Sequence, residues 1–359
     1  MARATLDAAQ AVIAASGTAI VASPGGSMVP DLLRLRASHL ELPEFSHPVR
    51  ARYTLPGRLA ASLRNLDVTV IQARSPATAL VARQVAKRLG LKWIATLYRP
   101  FSTKGLMNRL IERRQGYADA VVAVSDHIAR DASRHFAALG ERLHTISPGI
   151  NFDRFDPAIV RADRVIRLAG ELRVPDGSHL VLCPGRFVED GGQKILIEAM
   201  KKLGRSDVFC LLLGSTGTPT PFERDLEHAI ERAELQGRVQ IGPYVEDMPA
   251  AYMLADVVVA TGGVGRGFSR TLVEAQAMGR PVVTEDGGGA AEAVLSGITG
   301  WLAAPGNPAA LAEAISQALS LSAERSAELA RAAQEHVRGR FALAHSNQQL
   351  LQLYERLSD

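Results

Sequence analysis

Short apolar runs alternate with amphipathic stretches along the whole chain of 359 residues. The first half contains the runs AIVAS (19–23), VTVIQA (68–73), KWIATLY (92–98) and AVVAVS (120–125). The second half continues with LVLCPGR (180–186), VFCLLLG (208–214), RVQIGPY (238–244), DVVVAT (256–261) and PVVTED (281–286). Stretches with helical periodicity, such as ATALVARQVAKRLG and GQKILIEAMKKLG, lie between them. Strands that are apolar on both faces and are joined by helices predict parallel sheets covered by helices on both sides.

The chain length and a polar segment near its middle predict two domains. A chain of 359 residues is too long for one comfortable core. The segment SPGINFDRFDPAIV, residues 147–160, is rich in Pro, Gly and Asp and is the predicted hinge. We therefore predict doubly wound α/β domains over residues 1–150 and 151–340. The helix predicted within residues 341–359 needs a surface, and we expect it to pack back on the first domain.

Charge is distributed unevenly between these halves. Residues 1–150 contain 20 Lys and Arg against 10 Asp and Glu, whereas residues 151–359 contain 21 against 27. A basic domain joined to an acidic one suggests that the first approaches an anionic surface. No aromatic-interleaved basic motif or helix-turn-helix signature indicates nucleic acid, and an anionic lipid surface fits at least as well.

One basic segment, residues 99–114 with the sequence RPFSTKGLMNRLIERR, alternates cationic and apolar side chains at helical spacing. Such a stripe suits an anionic leaflet, and a core-packed helix with a solvated basic face explains it equally well. No apolar run is long enough to span a bilayer, and Asp7 and Gln10 interrupt the N-terminal apolar stretch. We predict a cytoplasmic protein that binds peripherally to the inner membrane.

The cysteines and histidines give no sign of a disulfide or a metal site. Cys183 and Cys210 both fall inside apolar, strand-like runs, which predicts buried thiols. The nine histidines show none of the spacings that are typical of structural zinc sites. We therefore expect no metal.

Three glycine-rich loops follow predicted strands of the second half: PGRFVEDGGQK, TGGVGRGFSRTLVE and TEDGGGAAEAV. The carboxyl ends of parallel strands meet at one edge of a sheet, and ligands bind there. Each loop leads into a helix, whose free N–H groups favour anions. Together with Arg186 beside the first loop, they predict a diphosphate site, although each loop alone is equally consistent with a tight turn.

Residues about 147–341 resemble the C-terminal domain of a family 4 glycosyltransferase with the GT-B fold. The resemblance runs through GPYVEDMPAAYMLADVVVATGGVGRGFSRTLVEAQAMGRPVVTEDGGGAAEAV, and the first half is similar in IQARSPATA, AVVAVSDHIARD and ISPGINFDRFDP. The chain most resembles an alphaproteobacterial branch that builds lipopolysaccharide core or related envelope glycans. The resemblance implies two Rossmann-like domains facing a cleft and a retaining, metal-independent hexosyl transfer. It also implies a nucleotide-sugar donor in the second domain, a glycan or lipid-linked acceptor in the first, and no cofactor.

The resemblance assigns donor-binding roles in the second domain. Arg186 matches the arginine that neutralises donor phosphate, and Glu274 matches the second acid of an E-x7-E motif, which binds the donor ribose. Backbone N–H groups would assist at four positions, which are Thr271, Leu272, Gly288 and Gly289. On the acceptor side the candidates are Arg74, Ser75, Tyr98 and Arg99. For Ser75 and Arg74, a turn role fits equally well.

Several positions depart from the family pattern. Arg266 stands where the motif has its first acid, and arginine has no lone pair with which to accept a sugar hydroxyl. Gly191 stands where the family has a phosphate-binding lysine. Lys194 could partly compensate for that lysine, but from a different helix face. Tyr98 replaces a histidine of the acceptor domain, so the catalytic residues stay unassigned.

The resemblance also implies a central strand before the helix ARATLDAAQAVIAASG, so the first domain is predicted to lack its first strand. We therefore keep two hypotheses: an envelope-glycan glycosyltransferase with an altered donor site, and a pseudo-glycosyltransferase that binds a glycan, a lipid or a protein partner. A nucleotide-sugar epimerase of the same fold has no recognisable acid–base residues here.

Overall fold

The computed structural model describes residues 1–46, 48–101, 105–136, 139–262, 265 and 267–358. The chain divides into two compact units. Unit 1 comprises Met1–Gly149 together with Leu343–Asp359, and unit 2 comprises Ile150–Ala342.

Helices and strands alternate through both units. The strands are β1 (Ile20–Ser23), β2 (Ser38–Glu41), β3 (Val70–Ala73), β4 (Lys92–Leu97), β5 (Ala120–Ala123), β6 (Leu143–Thr145), β7 (His179–Pro184), β8 (Val208–Ser215), β9 (Val239–Pro243), β10 (Val257–Ala260), β11 (Val282–Glu285) and β12 (Gly300–Ala303). The helices of unit 1 are α1 (Ala2–Ala14), α2 (Val29–Arg34), α3 (Pro48–Leu63), α4 (Pro76–Leu89), α5 (Leu106–Arg113), α6 (Asp126–His135) and α15 (Leu343–Ser358). Those of unit 2 are α7 (Ala162–Glu171), α8 (Gln193–Leu203), α9 (Pro221–Arg232), α10 (Met248–Leu254), α11 (Arg270–Ala277), α12 (Gly288–Ala291), α13 (Pro308–Leu319) and α14 (Ala323–Phe341).

Unit 2 is built on one six-stranded parallel sheet in the order β12-β11-β10-β7-β8-β9. Successive residues of β7 enter two different cores, with Leu180 and Leu182 on one face and Val181 and Cys183 on the other. Helices α8, α9 and α13 cover the second face, and α7, α10, α11 and α14 cover the first. Burial on both faces explains why the strands of this unit are apolar throughout.

Unit 1 contains two parallel sheets, β1-β2 and β3-β4-β5-β6. Ile20 and Ala22 of β1 and Ile71 of β3 pack against one core formed with α3 and α4. Among the described strands, β1 pairs with β2 alone, and β3 pairs with β4 alone. The two sheets therefore share a helix layer without sharing hydrogen bonds. On the other face, Leu353 of α15 packs against Ile94 of β4.

The predicted class, two parallel-sheet α/β domains, is confirmed. Every predicted strand forms, whereas β2, β6 and β12 had not been predicted. Both cysteines are buried and free, which confirms the prediction for the thiols. In the described part of the chain, no helix has the length and apolar content needed to cross a membrane.

Candidate functional site

The carboxyl ends of β7, β10 and β11 lie side by side in the sheet of unit 2. The loops that follow these strands are the three glycine-rich segments of the sequence. Parallel strands present their carboxyl ends at one edge, where backbone N–H groups of the following helices are available to a ligand. This edge is the candidate donor site.

Side chains join the three loops. The Thr261 hydroxyl after β10 donates to the carbonyl of Gly191, which follows β7, at 2.9 Å. The Glu285 carboxylate at the end of β11 accepts from the backbone N–H of Gly262 at 2.7 Å and from that of Gly306 at 2.7 Å. Glu285 was not among the predicted site residues, because its strand run identifies it as buried without showing which backbone groups it binds.

Glycine is required where the first two loops meet. Gly192 has a φ of +74°, and a Cβ there would lie 2.4 Å from the nitrogen of Gly262 and 2.5 Å from the Cβ of Thr261. A Cβ on Gly214 would lie 2.0 Å from the carbonyl oxygen of Gly185. The edge is therefore held by close backbone contacts that a side chain would push apart.

Arg186 is exposed at this edge, and its backbone carbonyl accepts from the Gln193 amide at 3.1 Å. Its guanidinium has no hydrogen bond or ion pair with any residue that the structure describes. The charge is therefore available to an anionic ligand.

Lys194 is directed toward α9 instead. Its ammonium lies 3.3 Å from Asp225 and 5.1 Å from the centre of the Phe222 ring. Helix α9 follows β8, which adjoins β7 on the side opposite β10. In this arrangement a carboxylate and an aromatic ring of α9 engage the Lys194 ammonium.

Glu274 projects from α11 with a largely buried side chain, of which 13% is exposed. The Tyr252 hydroxyl of α10 donates to Oε2 at 2.9 Å, and Arg270 Nε donates to Oε1 at 3.3 Å. Burial raises the pKa of the Glu274 carboxyl, while Arg270 and Tyr252 oppose that shift. Burial and the adjacent Glu274 raise the pKa of Tyr252 well above its ordinary value. Tyr252 was not predicted, although a tyrosine on a buried helix face generally needs a partner for its hydroxyl.

The remaining donor-side residues lie at two helix N-termini. Thr271 and Leu272 are in the first turn of α11, where the Ser269 hydroxyl caps the helix by accepting from the N–H of Leu272 at 3.5 Å. The Leu272 N–H is therefore already directed at the cap. Gly288 and Gly289 begin the short helix α12. Arg266 lies outside the described residues.

Four acceptor-side residues were predicted in unit 1. Arg74 and Tyr98 contact each other, whereas Ser75 and Arg99 make separate structural contacts. Arg74 Nη1 donates to the Tyr98 hydroxyl at 2.8 Å, at the carboxyl ends of β3 and β4. Ser75 caps α4 through a reciprocal capping box with Thr78, so the turn role is the one that the structure shows. Arg99 pairs with the buried carboxylate of Glu112 at 2.8 Å.

Three polar residues near Arg74 were not predicted. Arg74 Nη2 donates to Gln72 Oε1 at 2.9 Å, and the Tyr354 hydroxyl of α15 donates to the same oxygen at 2.6 Å. Gln72 Nε2 in turn donates to the Thr96 hydroxyl at 2.8 Å. A glutamine inside an apolar strand run is a signal for such a network, because buried amides require partners.

Two family models match the chain in succession. Residues 1–154 match the model described as Glycosyltransferase Family 4, and residues 167–336 match the model described as Glycosyl transferases group 1. A curated relative, the D-inositol 3-phosphate glycosyltransferase of Xylanimonas cellulosilytica, is 33% identical over 207 residues, which make up 56% of this chain and 49% of that protein. The chain spans about half the length of the curated relatives it matches.

Solved structures resemble the chain over nearly its whole length. A glycosyltransferase from Rickettsia africae has a TM-score of 0.88 at 25% identity and covers 99% of this chain and 94% of its own. Anabaena HepE in complex with UDP and glucose has a TM-score of 0.87 at 21% identity and covers 99% and 95%. The predicted GT-B fold is thereby confirmed. The chain accordingly consists of a family 4 glycosyltransferase segment followed by a glycosyl transferases group 1 segment, and it belongs to the glycosyltransferases of the GT-B fold.

Proposed function

We propose that the chain transfers a sugar, with retention of configuration and without a metal ion, from a nucleotide-sugar to an envelope glycan or lipopolysaccharide-type acceptor. One observation carries the donor half of this proposal. The exposed Arg186 guanidinium and the buried Glu274 carboxylate belong to elements that start from the same edge of the unit 2 sheet, where the glycine-built loops meet.

These groups suit the two ends of a nucleoside diphosphate. Arg186 and the backbone N–H groups of Thr271, Gly288 and Gly289 would stabilise the departing diphosphate by charge and dipole. Glu274 would accept hydrogen bonds from the ribose hydroxyls, since a carboxylate is an acceptor on both oxygens. The solved HepE complexes, which contain UDP or UDP-glucose, support a nucleotide-sugar as the ligand class.

Calorimetry with UDP-, GDP- and ADP-sugars tests the donor half. We expect one nucleotide to bind, and Arg186→Ala to weaken its affinity about 10- to 100-fold, as for the loss of a charge-assisted hydrogen bond of about 1.5–3 kcal/mol. Arg232→Ala, which removes an exposed charge from α9 of the same unit, is the matched control and should bind normally. Retention would then be read from the anomeric coupling of the product by NMR.

The alternative is a pseudo-glycosyltransferase that binds a glycan, a lipid or a protein partner. The shortage of cations where the donor diphosphate would bind favours this alternative. Gly191 offers no charge, and Asp225 already engages Lys194. Failure of every nucleotide-sugar to bind at millimolar concentration would support this alternative. Restored binding in Gly191→Lys would show instead that the donor geometry is intact and lacks a cation.

We also propose that the protein is cytoplasmic and binds the anionic surface of the inner membrane through α5. Leu110 is 46% exposed and lies beside the exposed Arg109 and Arg113. Each basic residue near an anionic surface contributes about 1 kcal/mol, which salt weakens. Arg109→Glu with Arg113→Glu should reduce co-sedimentation with anionic vesicles. Charge reversal at Arg224 and Arg232 on α9 is the control, and equal sedimentation of both double variants would contradict the proposal.

A further inference from the structure

A cavity of about 50 Å³ lies within unit 1 at the carboxyl ends of β3 and β4. Its wall includes Gln72, Arg74, Thr96 and Tyr98 from these strands and the residues that follow them, together with residues of α1 and α15. The carboxyl end of a parallel sheet is where ligands of α/β proteins bind. A volume of this size suits a phosphate or carboxylate head rather than a whole sugar ring.

Arg74 brings a positive charge to this wall, and no described carboxylate is hydrogen-bonded or ion-paired with it, although the Asp7 carboxylate lines the same cavity. Its side-chain partners there are all neutral: the Tyr98 hydroxyl at 2.8 Å, the Gln72 amide oxygen at 2.9 Å and the Tyr354 hydroxyl. The charged or polar groups that influence it electrostatically are Tyr98 and Tyr354, and no carboxylate is among them. Burial disfavours the Arg74 cation, and Tyr98 and Tyr354 offset that effect, so the pKa of Arg74 is raised. An anion in the cavity would give this buried cation an oppositely charged partner.

The residues of this wall have hydrogen-bond donors that are not used within the protein. A guanidinium carries five N–H groups, and the hydrogen bonds to Tyr98, Gln72 and Tyr354 use at most three of them. The Tyr98 hydroxyl accepts from Arg74 and the Thr96 hydroxyl accepts from Gln72, so the proton of each is free to point elsewhere. Among the described residues neither hydroxyl has an acceptor for that proton.

The network is also held in place before any ligand arrives. The Tyr354 hydroxyl fixes the oxygen of Gln72 at 2.6 Å, and the Gln72 amide nitrogen is held by Thr96 at 2.8 Å. A preorganised set of donors binds an oxyanion more tightly than a mobile one, because less ordering entropy is lost. Asp7 also lines the cavity and is already engaged by a contact of its own.

We infer that this cavity binds an oxyanion, a phosphate or a carboxylate carried by the acceptor, between the Arg74 guanidinium and the hydroxyls of Tyr98 and Thr96. The statement that the acceptor carries this oxyanion rests on the proposed function. The statement that the cavity binds an oxyanion is independent of the proposed function and is tested separately.

The test titrates the full-length chain with inorganic phosphate and with acetate, in the presence of saturating UDP so that the proposed donor site is occupied. Phosphate or acetate should bind the wild-type chain, and Arg74→Met should weaken that binding at least about tenfold, as expected for a lost charged donor. Tyr98→Phe should weaken it several-fold. Arg83→Met removes a charge from α4 in the same unit, outside the cavity wall, and should leave it unchanged.

Arg74→Lys keeps the charge and loses the planar fork, so it should bind the anion with intermediate affinity. This variant and Tyr98→Phe keep the test decisive if Arg74→Met fails to fold. Preference for phosphate indicates a phosphorylated acceptor, and preference for acetate indicates a carboxylated one. Absence of binding by both probes, or wild-type affinity in Arg74→Met, would overturn the inference.

The two proposals fail separately. If the chain binds UDP but its phosphate affinity does not depend on Arg74, the proposed donor site is supported and the oxyanion site is contradicted. If the chain binds no nucleotide but binds phosphate in a manner that depends on Arg74, the oxyanion site is supported and the proposed donor site is contradicted.

Discussion

The two candidate binding regions are built from different parts of the chain. The edge of the unit 2 sheet combines hydrogen bonds made by Thr261 and Glu285 with glycines that pack against neighbouring loops at distances that exclude a Cβ. The cavity of unit 1 is held by side chains, through the hydrogen bonds that connect Arg74, Gln72, Thr96 and Tyr98. The first region is therefore sensitive to atoms added at its glycines, and the second is sensitive mainly to removed atoms.

The two arginines show the same contrast. Arg186 is exposed and has no described side-chain partner, so it must be ordered when a ligand binds. Arg74 is already fixed in the free protein by hydrogen bonds to Tyr98, Gln72 and Tyr354. Removing Arg186 should therefore affect binding, whereas removing Arg74 should affect both binding and folding.

The largest effect is expected from a methyl group added to the unit 2 edge. Gly192→Ala places a Cβ 2.4 Å from the nitrogen of Gly262 at a φ of +74°. Left-handed backbone costs a non-glycine residue about 1–2 kcal/mol, and overpacking adds about 1–3 kcal/mol. The free energy of unfolding, measured by urea titration, should fall by about 2–5 kcal/mol.

Gly177→Ala is the matched control for that substitution. Gly177 has a φ of +73° and no atom within 4 Å of the added Cβ, so the backbone term should act alone. Its loss should be about 1–2 kcal/mol. Equal losses in the two variants would mean that close packing between the loops does not hold this edge.

A smaller effect is expected where atoms are removed. Arg74→Ala deletes hydrogen bonds from a charged donor and leaves Tyr98 and Gln72 each with one partner fewer. The free energy of unfolding should fall by about 2 kcal/mol, because the lost bonds, about 1.5–3 kcal/mol each, are partly offset by the removal of a buried charge. Arg186→Ala, at an exposed position, should stay within about 0.5 kcal/mol of wild type. Similar losses at both positions would remove the distinction between a preorganised and a mobile arginine.

The sequence predicted the strands and helices that carry the two binding regions better than it predicted the contacts between their side chains. Strands such as β7 and β10 were predictable because burial on both faces demands continuous apolar runs. The strands β2 (SHLE) and β6 (LHT) are short and carry polar residues, so periodicity could not identify them. Arg186 and Glu274 were predicted as donor-site candidates from a family resemblance.

The partners of those residues could not be predicted in the same way. The hydrogen bond from Tyr354 to Gln72 joins residues 282 positions apart, and the contact of Thr261 with Gly191 spans 70. Such pairs depend on how helices dock on the sheets, which local pattern does not encode. Lys194 shows the consequence, because its helix was predictable and its pairing with Asp225 was not.

The smallest expected effect concerns the carboxylate of the donor edge. Burial raises the pKa of Glu274, and the hydrogen bond from Tyr252 is one of the contacts that oppose the rise. Because the ribose hydroxyls need the ionised carboxylate as acceptor, nucleotide affinity should be complete above this pKa and fall as the pH decreases through it. The fall should begin at a higher pH than an ordinary glutamate would give. UDP-glucose is a suitable probe, since its diphosphate does not titrate in that range.

Tyr252→Phe should move the midpoint of this fall to still higher pH, because the ionised form of Glu274 loses a donor. Near neutral pH the same variant should weaken UDP-glucose binding by no more than about tenfold, the equivalent of one hydrogen bond of about 0.5–1.5 kcal/mol. Glu274→Gln cannot ionise, so its affinity should be lower and should lack this pH step. A step that persists in Glu274→Gln would assign the titration to another group. A midpoint unchanged in Tyr252→Phe would show that Tyr252 fills the core without tuning the carboxylate.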